Sequence, residues 1–347
     1  MKAKQHTSEK RMTTGLKKGF SIFNFGSGRF SILSLVLLLP VLLLTGCDDE
    51  IPGGGTEDSP FLISTPAQLA KLATEVNGGD NKSGKYYKLT QNISLSDYQS
   101  GEGWIPIGGI SASFNGYFDG DGYAITNLAI KSTGKSYMGL FGYVSKGSIK
   151  NLGVKGSIEA NNGDTFYESA NVIGGIVGML VEAGRIENCY WMGNVSGGTF
   201  NIGGIVGQAH INAVVTNCWA TGKVSGEDAV GGVAGIVRDG SNITKCAALN
   251  EEIRRSDGAN TAFARVAGVV NGGTLTNNIA WNNMKIVPAT IVPVNNPNGV
   301  HGSSTAKAQI SSASFLATYF PTPPWTCADG SLPGFNGNTE SMPAYIN

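Results

Sequence analysis

The chain has 347 residues, 50 of them glycine, and its 25 basic and 25 acidic side chains cancel to a net charge of zero. Residues 1–46 hold seven of the basic residues and one acid, so the remainder carries 18 basic against 24 acidic groups, a net of −6, with no basic block of the kind that engages nucleic acid. Glycine still fills 45 of those 301 positions without a Gly-X-Y register, which excludes collagen, and a 41% hydrophobic content excludes a disordered chain.

A cationic stretch ending at Arg29 runs into an apolar segment from Ser31 to Leu44, broken by Pro40. Its 14 residues fall short of the roughly 20 that a spanning helix needs and suit the core of an export signal. Leu44-Thr45-Gly46-Cys47 resemble the bacterial lipobox. That resemblance implies cleavage before Cys47 and acylation of its thiol and new amine, an attachment by several acyl chains that is effectively permanent. Asp48, Asp49 and Glu50 come directly after and resemble the surface-export signal of Bacteroidota lipoproteins. The expectation is a signal peptide over 1–46, a flexible acidic and glycine-rich tether over 47–59, and an outer-membrane lipoprotein facing outward.

Next, Thr65-Pro66-Ala67-Gln68 forms a capping box with proline in the first turn. Leu69, Leu72, Ala73 and Val76 then recur at helical spacing until Asn77-Gly78, which predicts one amphipathic helix placed to cover the open edge of the first coil. Two irregular coils are predicted after the helix, over Tyr86 to Leu95 and Phe114 to Leu128.

From Met138 onward the chain repeats. Met138-Gly-Leu-Phe-Gly142 recurs as Gly174-Gly-Ile-Val-Gly178, Gly203-Gly-Ile-Val-Gly207, Gly231-Gly-Val-Ala-Gly235 and Ala264-Arg-Val-Ala-Gly268. A second block comes after each copy: Ile149-Lys-Asn-Leu, Ile186-Glu-Asn-Cys, Val215-Thr-Asn-Cys, Ile243-Thr-Lys-Cys and Leu275-Thr-Asn-Asn. A unit of about 28 residues cannot bury an apolar face alone, so neighbouring units must stack. Short Val/Ile stretches broken by Gly, Asn and Ser make strands and corners, and propeller blades usually need about 40 residues. The expected fold is therefore all-β, a parallel β-solenoid (right-handed β-helix) of about seven coils with an N-terminal capping helix, spanning 60–285. Its glycines are expected to take left-handed corner conformations and to permit close backbone approach. Residues 286–347 lose the repeat and are expected to be irregular, with Gln309 to Phe335 capping the far end.

The Gly-Gly-Ile-Val-Gly and Ile-Glu-Asn-Cys blocks resemble the GLUG repeat of bacterial surface proteins, including non-catalytic regions of some immunoglobulin A peptidases. The lead-in through Ile105-Pro-Ile-Gly108 and Phe114-Asn-Gly-Tyr-Phe-Asp-Gly120 is similar to the segment preceding such repeats in Bacteroidota lipoproteins. The resemblance covers roughly 60–285 and implies a β-helix scaffold with an adhesive role. Ala264-Arg265 and Asn278 depart from the pattern, which puts the regularity of the last coil in question.

Few residues suggest chemistry. After residue 46 the only histidines are His210 and His301, and neither lies in His-Glu-x-x-His, so the zinc-peptidase signature is absent. No Gly-x-Ser-x-Gly elbow marks a nucleophile, and neither a metal nor a cofactor is expected. Asp119-Gly-Asp-Gly122 lacks the acid an EF-hand needs twelve positions in and reads as a turn. Cys189, Cys218 and Cys246 share the glycine period and read as a reduced inward column, with a disulfide or thiolate row as the alternative. Alternation turns Tyr190 and Trp219 outward on adjacent coils, either as a cross-strand pair or as ligand-binding aromatics. The function expected is a non-enzymatic surface protein that adheres to or displays a host or community glycan or protein ligand. Glycan-binding or polysaccharide-degrading proteins and structural envelope or appendage components are the alternatives.

Overall fold

Each repeat unit is one turn of a parallel β-solenoid of about seven turns, seen in a computed structural model that describes residues 49–133, 136–161, 172–198, 200–289 and 292–346. Stacking puts equivalent positions in vertical columns. In one sheet Tyr87, Phe118, Ile149, Ile186, Val215, Ile243 and Leu275 are register partners on successive rungs, all parallel and all buried. A second face stacks Phe141–Ser145, Val177–Val181, Val206–His210, Ala234–Arg238 and Ala267–Asn271. The apolar residues of the repeat thus converge on one continuous core.

The two sequence blocks have different physical jobs, and the expectation for the glycines needs correcting. Gly174, Gly178, Gly203, Gly207, Gly231 and Gly235 are not left-handed. They are sites of close approach: a Cβ on Gly203 would lie 2.1 Å from the Val206 carbonyl oxygen, and one on Gly174 or Gly231 would meet its own coil as closely. Left-handed glycines do occur after the second block, at Gly197 and Gly222, but within that block this conformation falls mainly to asparagine. Asn127, Asn151, Asn188, Asn217, Lys245 and Asn277 all have φ between 50° and 58°. Asparagine tolerates this region because its short amide can bond locally.

Helix Pro66–Asn77 starts at the capping box: Thr65 accepts from the Gln68 amide, while Gln68 Oε1 accepts from the Thr65 amide. Leu69, Leu72, Ala73 and Val76 are buried in the common core. The expectation of a flexible tether over 47–59 is corrected within the described residues. Gln68 Nε2 donates to the Glu50 carbonyl at 2.9 Å, the Leu62 amide to Pro52 at 2.7 Å, and the Tyr86 amide to Gly55 at 3.1 Å. Gly53 and Gly55 take positive φ to make this path, so their flexibility is spent on a fixed route rather than on motion.

The last coil is regular despite its departures, since Phe263 and Ala264 pair with Val230 and Gly231. Arg265, only 1% exposed, donates to the carbonyls of His301 and Gly302 and to Ser304 Oγ, at 3.0–3.3 Å. Asn278 continues the cysteine column, donating to the Ile243 carbonyl and accepting from the Cys246 amide, both at 2.9 Å. Residues 297–305 lie on this coil: Val300 O receives the Val266 and Ala267 amides, and Ser303–Thr305 pairs with Ile279–Trp281. The far end is therefore covered by 297–305. Residues 309–335, expected there, instead fold back along the outer side of the solenoid, where Trp325 reaches Asn188 and Phe335 reaches Tyr190.

Candidate functional site

Of the residues singled out as carrying the anchor, Cys47 and Asp48 lie outside the described residues, while Asp49 and Glu50 are exposed. The cysteine column is as expected: Cys189, Cys218 and Cys246 are free and fully buried. Each sits 3.7–3.8 Å from a carbonyl oxygen of the preceding coil, Ile149, Ile186 and Val215 in turn. Burial pushes the Cys218 and Cys246 thiols up, which makes them poor nucleophiles. His210 stands at a corner with Nε2 2.6 Å from Asp239 Oδ2. Asp119 and Asp121 form the predicted turn. Asp119 Oδ1 accepts from the Asp121 amide at 2.9 Å, and Asp121 pairs with Lys88 at 3.0 Å. Among the described residues no three His, Cys, Asp or Glu side chains gather to hold a metal ion, and no helix is long and apolar enough to cross a membrane.

Tyr190 and Trp219 do point away from the lumen and stack, with ring centroids 4.6 Å apart and planes 6° apart. Of the two readings the structure shows the cross-strand pair, and the ligand-binding one is corrected, because the rings are 3% and 0% exposed. The returning C-terminal residues cover them. Phe335 stacks on Tyr190 at 5.8 Å and on Trp325 at 4.2 Å, and Phe320 meets Trp325 edge-on. Tyr190 Oη donates to Glu340, whose other oxygen lies 2.6 Å from Lys155 Nζ. Burial and this carboxylate push the Tyr190 phenol far up, so it stays a donor. Tyr345 accepts from the Gly222 amide and donates to the Leu249 carbonyl.

Beside this covered column runs a seam of amides. Asn217 donates to Asn188 at 3.3 Å, Asn188 to Asn151 at 3.2 Å, and Asn151 to the Asp119 carboxylate at 3.0 Å. Asn188 Oδ1 also accepts from the buried indole of Trp325 at 3.2 Å. The left-handed backbone and the amide ladder thus favour the same residue type.

The open aromatics are elsewhere. Tyr86 and Tyr117 occupy one outward column on adjacent rungs and stack at 4.4 Å with planes 19° apart. Tyr117 is 37% exposed, and the same column continues with Ser148 and Arg185. Two residues along the strand direction, Lys88, Asp119, Lys150 and Glu187 form a second outward column. Lys150 pairs with Asp119 at 3.3 Å and Arg185 with Glu187 at 3.2 Å. Beyond Asp121 a cleft of about 360 Å³ opens between the solenoid and the C-terminal residues, lined by Asp121, Asn151, Thr322, Pro323, Trp325 and Asn336. The tyrosine pair was not among the residues expected from sequence. Its signal was the matching place of Tyr86-Tyr87 and Tyr117-Phe118, 31 residues apart in the two irregular coils.

Comparison with known proteins supports the repeat and the fold. Residues 198–225 match the family described as "The GLUG motif". A stretch covering 30% of the chain is 36% identical to a "Putative Gly-rich membrane protein" of Evansella cellulosilytica, and one covering 28% is 37% identical to "Halomucin" of Haloquadratum walsbyi. The matched stretches span only 12% and 1% of those relatives. The crystal structure of "a putative immunoglobulin A1 protease" from Bacteroides ovatus superposes with a TM-score of 0.57 over 82% of this chain and 94% of that one. At 20% identity that likeness concerns the fold alone. The chain is thus a β-solenoid with a GLUG motif over residues 198–225, and under a third of its length is similar to each of the proteins named "Putative Gly-rich membrane protein" and "Halomucin".

Proposed function

We propose that this is a lipid-anchored protein of the outer cell surface, a non-enzymatic solenoid that displays a side face for adhesion. The observation that carries the reading is the apolar run closing on Leu44-Thr45-Gly46-Cys47 with Asp48-Asp49-Glu50 directly behind it. The names of the two relatives support a place in the cell envelope. Within this reading the solenoid is held close to the lipid, because the chain is already bonded to the helix at Glu50, three residues after Cys47. The ladder of buried, hydrogen-bonded rungs gives a rigid support whose outward columns are free to vary without disturbing the core. The test combines two measurements. Detergent phase partitioning should move the protein to the aqueous phase when Cys47 is replaced by Ser. Protease added to intact cells should remove the wild-type protein; protection until lysis rules out the outward orientation.

A further inference from the structure

Tyr86 and Tyr117 differ from the covered pair Tyr190 and Trp219 in their neighbours. A stacked pair steadies a sheet wherever it sits. Here, however, the column continues with Ser148, a side chain too short to cover the free face of the Tyr117 ring, and only then with Arg185. Rungs lie about 4.8 Å apart, so the backbones of Tyr117 and Arg185 stand about 9.6 Å apart, with only the short Ser148 side chain in the column between them. That width admits one saccharide ring, its apolar face on the tyrosine and its hydroxyls toward the guanidinium.

The flanking charges specify the ligand further. Lys88, Lys150 and Arg185 each face a carboxylate, Asp121, Asp119 and Glu187 in turn, so the strip has no net charge and offers no counter-charge to a polyanion. Paired cations and carboxylates side by side are instead donors and acceptors for vicinal hydroxyls. The four residue steps from Tyr117 to Asp121 span at most about 13 Å of extended chain before the cleft at Asn151, Pro323 and Trp325. That is a track for a short run of sugar units rather than a single one.

We propose that this strip binds a neutral glycan chain, with one hexose ring stacked on Tyr117 between Asp119–Lys150 and Arg185–Glu187 and the chain leading toward the cleft. The inference deepens the adhesive reading above and rests on it for its biological setting, but its test is independent of location. The purified full-length protein in detergent is run in affinity gels containing laminarin, mannan, xylan or amylose, with polygalacturonate and heparin as acidic comparisons. Retardation by at least one neutral polymer is expected, with Kd raised about tenfold in Tyr117→Ala, as for loss of one aromatic anchor. Tyr117→Trp should retain binding, and Arg254→Ala, outside the strip, should change nothing. Thermal denaturation of each variant separates loss of binding from loss of fold. No retardation by any neutral polymer, retention by the acidic polymers alone, or equal binding by a folded Tyr117→Ala overturns the proposal. A protein that is surface-exposed on cells yet fails these gels loses this inference alone. One that binds in gels yet resists protease on intact cells loses only the surface reading.

Discussion

Asn188 is where backbone conformation and side-chain bonding can be separated by substitution. Its φ is 51°, it links Asn217 to Asn151, and it accepts the Trp325 indole. Asn188→Ala keeps the left-handed corner at a cost of about 1 kcal/mol. It also removes two ladder bonds worth about 1 kcal/mol each and leaves the buried indole N–H unpaired at about 1–3 kcal/mol. Discounting for overlap among these neighbours, the total is about 3–5 kcal/mol. Asn188→Gly relieves the corner only and should be about 1 kcal/mol less damaging than Ala. Asn188→Asp can still accept from Asn217 and Trp325 but cannot donate to Asn151, and should be the mildest of the three above about pH 5. Urea denaturation monitored by tryptophan fluorescence measures all three. Equal stability of Gly and wild type would show that the ladder contributes nothing. Equal stability of Ala and Gly would show that the corner imposes no strain.

Gly203→Ala should lower stability by about 1–3 kcal/mol or more, because its Cβ would press on backbone. Gly109→Ala, with no heavy atom within 4 Å, should leave the melting temperature unchanged. His301, buried beside Arg265, has its pKa pushed down to about 4 from 6.5 by burial and then by the Arg265 charge. The folded state therefore resists its protonation. The stability this neutral imidazole represents is full above pH 6.5 and is lost as pH falls toward 4, by roughly 3 kcal/mol. Calorimetry at steps across that range should show the loss, and His301→Gln should flatten it; an unchanged slope in the variant would assign the effect to other groups. Finally, Cys47→Ser protein denatured without reductant should titrate four thiols, and the same protein left folded should show none of the three column thiols reacting promptly. A count of two in denaturant would mean that the column is bridged.

The stacking, the core and the approximate number of coils were legible because glycine and apolar positions recur at one period, and a rung needs nothing else to find its neighbour. The corner residue was legible only in part. Asn151, Asn188 and Asn217 stand plainly in the second block, yet their ladder exists only once the rungs are superposed, and glycine was the more familiar left-handed residue. Alternation turned Tyr190 and Trp219 the right way but could not reveal their cover. Trp325 and Phe335 come from a stretch without repeats more than a hundred residues away, and such long-range contacts leave no local pattern. Tyr86 and Tyr117 fell in coils too irregular to align by eye. The order of residues 50–59 was hidden for a different reason: glycine signals permission to bend, not whether the bend is used.

The returning C-terminal residues touch the turn at Asp121 through Asn336, then Asn188, Tyr190, Gly222 and Leu249 through Trp325, Glu340 and Tyr345. An array in which each coil meets only its neighbours can fray one coil at a time from either end. Here a single strap crosses several coils, so opening any one of them also strips contacts from the others. Such a molecule should melt as one cooperative unit, with amide exchange in the middle coils governed by global unfolding. Its strap joins positions 96 to 215 residues apart, so it can close only after the coils beneath it exist, which makes it the last and slowest part of the fold to form.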